Sequence, residues 1–285
     1  MNRRLIVTLV TALSCCMLAS GAQAQLGAEP TKLELIPLND DMYVISNVAV
    51  PGLVTALVTD DGVLLVDDKF EIDHDNIMAM LRTVTNQPVK YVINTHHHAD
   101  HSGGNAKLQA LDAVVVASEE ARARMVAANQ PGLPNVAVSD HAALYIGGKT
   151  VEIYSVSPAH TNGDVVVLFP DYGVLASGDI FANGPGTSAE LVDYAGGGSA
   201  KSWPSAVAEA LELDFETVVP GHGLVSTRAD LEAYLQKTLR FKDVLAKLVQ
   251  AGRSREEIEA VVRSDFDWED FHVQMALDGL INEFR

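Results

Sequence analysis

Thr95-His96-His97-His98-Ala99-Asp100-His101 follows directly on the apolar run Val89 to Asn94, and the reading of that stretch decides the fold. The apolar run predicts a buried strand. Side chains alternate along an extended segment, so His96, His98 and Asp100 are expected on one side and His97 and Ala99 on the other. His101 is expected to start a helix and swing back. Four candidate ligands then converge at the carboxyl end of a strand, where α/β sites usually lie. Gly103 and Gly104 let the backbone pass close to whatever is bound. The competing reading is a polar turn that is merely rich in histidine. It would leave a costly cluster of partly charged groups behind an apolar strand with no metal to pair them. The cluster is internal and interrupted, unlike a purification tag.

Upstream, Leu33 to Leu38, Met42 to Ser46, Leu53 to Thr59 and Val63 to Asp67 are short β-rich runs punctuated by Asn-Asp, Pro-Gly and Asp-Gly, as in an antiparallel meander. Ile72 to Thr85 has helical periodicity, with Ile72, Ile77, Met80 and Leu81 on one apolar face. Downstream, Ser102 to Leu111 predicts a helix and Ala113 to Ala117 a strand, an alternation typical of an α/β layered domain. The second half repeats the order. Val151 to Val156, Val165 to Phe169 and Gly173 to Ala176 predict strands, Ala200 to Leu213 a helix and Thr217 to Pro220 a strand. Two halves of similar make-up predict two packed sheets. From Thr227 onward the pattern is helical, through Leu231, Leu235, Leu239 and Val244 to Val249, and Phe271 to Phe284 closes the sequence.

The chain has 285 residues, of which 48% are hydrophobic, which fits one large or two small globular domains and excludes disorder. Its formal charge of −18 and the lack of a Lys/Arg cluster argue against a nucleic-acid partner. Arg3 and Arg4, the apolar run Leu5 to Ala19 and Ala22-Gln23-Ala24 predict a secretory signal cleaved after Ala24. The run is shorter than the roughly 20 apolar residues that span a bilayer, so no stable membrane insertion is expected. Leu13-Ser14-Cys15-Cys16 loosely resembles a lipoprotein box, and the twin arginines are a poor fit to a folded-export signal. The expected division is residues 1–24 as signal peptide and 25–285 as a single secreted or periplasmic domain with a C-terminal helical segment. Cys15 and Cys16, the only cysteines, fall in the discarded part. A metal site in the mature chain must therefore be built from histidine and carboxylate.

Three further positions each follow a predicted strand: His160 in Pro158-Ala159-His160-Thr161-Asn162-Gly163-Asp164, Asp179 in Ser177-Gly178-Asp179, and His222 in Pro220-Gly221-His222-Gly223. Singly, each is an ordinary loop or turn residue. In order and at strand ends, they complete a set. The run His96-x-His98-x-Asp100-His101 followed by His160, Asp179 and His222 resembles the metallo-β-lactamase superfamily across nearly the whole mature chain. That resemblance implies a four-layer αββα sandwich with a dinuclear metal site at one sheet edge. It assigns His96, His98 and His160 to a first metal, Asp100, His101 and His222 to a second, and Asp179 to the bridge. Three neutral imidazoles with an open fourth position suit a catalytic zinc, and the harder second set can hold zinc, iron or manganese.

The resemblance also places at Asp67 a buried aspartate that orients the ligand loop, although a surface turn fits that position equally from sequence. Val50-Pro51-Gly52-Leu53 resembles the mobile loop that covers substrate in the family. His74, His141 and His272 match no ligand position and are expected to be ordinary surface or packed histidines. One departure matters. The best-known antibiotic-hydrolysing members have cysteine where this chain has Asp179 and a following lysine that grips the substrate carboxylate; here Ile180, Phe181, Ala182 and Asn183 follow, and no cationic anchor is visible. The expectation is a secreted hydrolase with two Zn2+ per chain, using a metal-bridging hydroxide to cleave a small ester, lactone, thioester or amide, β-lactams included. A mononuclear non-haem iron oxygenase of the same superfamily, as in persulfide oxidation, would leave His101 and His222 without a metal role. A non-catalytic zinc-binding protein would require the open positions to be blocked. A nuclease is disfavoured by the acidic balance. Fold analogy alone does not choose the substrate.

Overall fold

A computed structural model describes residues 32–47, 52–184 and 190–285. The expected signal peptide lies outside the described residues, as do Val50 and Pro51 of the expected substrate loop.

The first sheet has seven strands in sequential order: β1 (Glu34–Pro37), β2 (Met42–Ser46), β3 (Val54–Thr59), β4 (Gly62–Val66), β5 (Val89–Ile93), β6 (Val114–Ser118) and β7 (Val136–Val138). Strands β1 to β4 form the expected antiparallel meander, and β4 to β7 are parallel. The second sheet orders its six strands as β13 (Ser226–Thr227), β12 (Thr217–Gly223), β11 (Val174–Asn183), β10 (Val165–Phe169), β9 (Lys149–Ser155) and β8 (His141–Ile146). Of these, only β11 and β12 pair in parallel.

Three apolar clusters define the layers. Leu64, Val66, Ile93 and Val116 of the first sheet share one cluster with Ile153, Val165, Val167 and Phe169 of the second, so the two sheets face each other. The alternate residues Val63, Leu65, Val92 and Val115 pack instead with Ile77 and Leu81 of helix α1 (His74–Leu81). On the far side, Val166, Leu168, Leu175 and Val218 pack with the C-terminal helices. The result is helix, sheet, sheet, helix, with strands such as β4 buried on both faces, which is why they read as continuous apolar runs.

Several elements differ from expectation. The helix expected over Ser102 to Leu111 is split into α2 (Ala99–Ser102) and α3 (Asn105–Gln109). At the break, the Gly103 and Gly104 amides turn to Lys69 O and to the buried Asp68 carboxylate, each at 2.9 Å. Helix α4 (Glu119–Ala127), capped by Ser118, and strands β7 and β8 were not expected. Both strands are partly exposed at sheet edges, β7 is only three residues long, and α4 is charged, so none has a strong apolar period. Helices α5 (Trp203–Leu211), α6 (Arg228–Gln250), α7 (Arg255–Phe266) and α8 (Asp270–Phe284) complete the chain. Among the described residues, no helix is long and apolar enough to cross a membrane.

Candidate metal centre

The seven residues singled out from sequence come together at one edge of the sandwich. His96 and His98 lie in the loop leaving β5, Asp100 and His101 in α2, His160 in the loop between β9 and β10, Asp179 in β11 and His222 in β12. Asp179 and His222 were expected just past their strands. Both strands instead run on through them, because β11 and β12 keep pairing across register shifts between Ala176 and Gly178 and between Gly178 and Ala182. The shifts aim Asp179 out of the ladder. Gly221 makes room for it, since a Cβ there would lie 1.9 Å from Asp179 Oδ1.

Asp179 is the hub of the cluster. Its Oδ2 stands 3.2 Å from His222 Nε2, 3.4 Å from His160 Nε2 and 3.9 Å from His96 Nε2, and its Oδ1 stands 3.3 Å from His101 Nε2. Asp100 Oδ2 lies 3.4 Å from both His101 Nε2 and His222 Nε2. His98 Nδ1 is 2.9 Å from His160 Nε2. Two groups, His96/His98/His160 and Asp100/His101/His222, each present ligand atoms within 4.8 Å of one another. His96 Nε2, in a fully buried ring, has no hydrogen-bond partner among the described residues. Buried polar atoms are normally satisfied, so an orphan nitrogen pointing into converging imidazoles and carboxylates fits a cation site.

Electrostatics distinguishes the ligand side chains. Burial holds His96 well below the usual imidazole value and lowers His160 to about 4, so both are neutral and ready to ligate. Burial of His98, by contrast, is outweighed by its hydrogen bond to Asp193 and by Asp100 and Asp179, which raise it. Burial also penalises charge on His101 and His222, but the surrounding carboxylates outweigh it. Asp179, Asp100 and Asp67 hold His101 well above its usual value, while Asp179 and Asp100 raise His222 to about 9. Burial likewise opposes ionisation of Asp179 and Asp100, and neighbouring imidazoles hold both well below the usual carboxylate range. The carboxylates around His101 and His222 thus call for positive charge, which a metal can supply in place of protons.

Outer contacts fix the rings. Asp67 is buried, which decides against a surface turn. It accepts from Thr95 N at 2.7 Å and Thr95 Oγ1 at 2.8 Å and pairs with His101 Nδ1. His160 Nδ1 donates to Leu191 O at 2.6 Å, leaving Nε2 for the cluster. His98 directs Nε2 to Asp193 Oδ2 at 2.9 Å and so offers Nδ1. Asp193 was not found from sequence, because a lone aspartate in Leu191-Val192-Asp193-Tyr194 has no motif around it. His97 does not simply point away as strand alternation predicts; its Nε2 lies 3.7 Å from the same Asp193 carboxylate, because the segment after β5 is bent rather than extended.

Ile180 and Phe181, which follow Asp179, are buried. Lys69, also missed from sequence, is a fully buried lysine whose Nζ donates to Gly52 O; burial lowers it to about 8 against the pull of Asp73 and Asp100. His74 and His272 are buried and His141 exposed, and none belongs to the candidate metal groups.

A family model described as the metallo-beta-lactamase superfamily matches residues 48–222. The hydroxyacylglutathione hydrolase of Maricaulis maris is 30% identical over 171 residues, covering 59% of this chain and 62% of that protein. The metallo-beta-lactamase type 2 of Bacillus cereus is 27% identical over 209 residues, covering 70% and 80%. Among solved structures, a metallo-beta-lactamase from Pontibacter korlensis aligns with a TM-score of 0.63 at 26% identity, over 72% of this chain and 99% of that one. The chain spans less than two thirds of the length of the hydroxyacylglutathione hydrolases it matches.

Proposed function

The chain belongs to the metallo-β-lactamase superfamily, and from that premise we propose that it is a secreted, dinuclear zinc-dependent hydrolase of a small ester, lactone, thioester or amide, β-lactams included. His96, His98 and His160 would hold the first zinc and Asp100, His101 and His222 the second, with Asp179 between them. The observation that carries this reading is the Asp179 carboxylate, which stands 3.2 to 3.9 Å from Nε2 atoms of both groups. When bound, the two ions supply Lewis acidity toward a carbonyl oxygen and an activated water nucleophile.

The protein's own part is preorganisation. Asp67, Leu191 O and Asp193 fix the tautomer and aim of His101, His160 and His98, so little reorganisation remains when metal enters. Asp100 lies at equal distance from His101 and His222 and brings negative charge to the second group. The thioester class is supported by the names of the hydroxyacylglutathione hydrolase relatives and the amide class by the Bacillus cereus relative. The mononuclear iron reading gains nothing from His101 and His222, which sit inside the cluster rather than apart from it. Chelation should abolish turnover of thioester, lactone and β-lactam probes, and added zinc should restore it. Undiminished turnover in exhaustively chelated protein would overturn the reading.

A further inference from the structure

The family-matched segment ends at His222, yet the loop that orients two imidazoles of the first group is held by the last helix of the chain. Within residues 191–201, Leu191 O receives His160 Nδ1 and Asp193 Oδ2 receives His98 Nε2, while Asp193 N donates to His160 O at 2.9 Å. The same loop runs through Gly196-Gly197-Gly198, three residues with no side chains to hold its shape, which would otherwise make it costly to order. Its continuation closes on a single carboxylate. The Tyr194 hydroxyl and the Ala200 amide donate to Glu283 Oε2 at 2.8 and 3.0 Å, and the Ser199 hydroxyl and the Lys201 amide donate to Oε1 at 2.5 and 3.3 Å. The Tyr194 ring lies against α8 at Gly279, where a Cβ would come within 2.2 Å of it. Four donors on one group demand a group with acceptors only, which glutamate is and glutamine is not.

We infer that Glu283 is a positioning residue for the metal ligands His98 and His160, acting through residues 191–201 and not by contact with either ring. The helical segment that lies outside the family match thereby becomes part of the metal-binding apparatus. The inference rests on the zinc reading above, because zinc affinity is what it reports.

The test is zinc release from the full-length, zinc-loaded protein against rising chelator, followed with a metallochromic indicator and paired with thermal melts. Direct outer partners of metal ligands are worth about 10- to 100-fold in affinity, so Asp193→Asn should release zinc at a chelator concentration lower by about that factor. Glu283→Gln, one step further out, should shift release by roughly 3- to 10-fold. In the Asp193→Asn background it should add less than it does alone, because the two share a path. Tyr194→Phe removes one of the four bonds and should move release the same way by a smaller factor; it decides the matter if Glu283→Gln does not fold. Leu81→Val, a buried change in α1 whose apolar cluster contains no residue of the loop, should lower the melting temperature without shifting release. Wild-type release in Glu283→Gln and Tyr194→Phe, full additivity with Asp193→Asn, or an equal shift in Leu81→Val would overturn the inference. Parent protein that takes up no zinc would instead remove the zinc reading beneath it.

Discussion

Asp67 Oδ2 lies 2.8 Å from His101 Nδ1, and this one contact decides which nitrogen His101 shows to the metal centre. With Nδ1–H committed to the carboxylate, Nε2 faces Asp100, Asp179 and His222. Thr95 donates both its amide and its hydroxyl to the same carboxylate, so Asp67 also pins the start of the ligand loop.

Asp67→Asn keeps the shape but puts an amide against three donors, so one contact must become donor to donor. Zinc affinity is expected to fall about 10- to 100-fold with the fold retained. Equilibrium dialysis against zinc, with circular dichroism as the fold control, checks this; unchanged affinity would reduce Asp67 to a packing residue.

On the proposed two-zinc reading, Asp179→Ala separates the two ions. Without the shared carboxylate their mutual repulsion is less offset, so the second ion is expected to be lost while His96, His98 and His160 retain the first. Turnover should drop on the order of 10- to 100-fold or more. Two metals and normal turnover in the variant would return Asp179 to an ordinary strand residue.

Most of this centre was legible in the chain because its ligands are histidines and aspartates in a tight run, His96 to His101, and at apolar strand ends, as at His160 and His222. The two-sheet core was legible because buried strands such as β4 and β10 are unbroken apolar runs. What stayed hidden depends on contacts distant in sequence. Asp193 reaches His98 across 95 positions and Glu283 reaches Tyr194 across 89, and neither has a local pattern. Edge strands β7 and β8 escaped because half-exposed strands lack a clear apolar period. Asp67 had two open readings until its burial chose between them.

Glu190 supplies a pH prediction outside the ligand set. It is buried, both carboxylate oxygens lack hydrogen-bond partners among the described residues, and burial raises it from 4.5 to about 7. The unfolded chain releases this proton near 4.5 and the folded chain near 7, so stability falls as pH rises through that window, and the full penalty applies above it. Glu190→Gln removes the titration. In chelated protein it should be more stable than the parent at about pH 8, by up to about 3 kcal/mol, and match it at about pH 4. Urea midpoints at the two pH values decide, and a pH-independent difference would count against the assignment.

Export is expected from Arg3, Arg4, the apolar run and Ala22-Gln23-Ala24. Mass spectrometry of protein from the native host should find an amino terminus at Gln25. A cytosolic protein retaining Met1 would contradict it.

The central claim, two zinc ions held by His96, His98, His160, Asp100, His101 and His222 around Asp179 and used for hydrolysis, is tested most directly by elemental analysis of active protein. About two zinc per chain, with turnover of a thioester, lactone or β-lactam that tracks zinc content, is the predicted result. One iron per chain with oxygen consumed during turnover would contradict it.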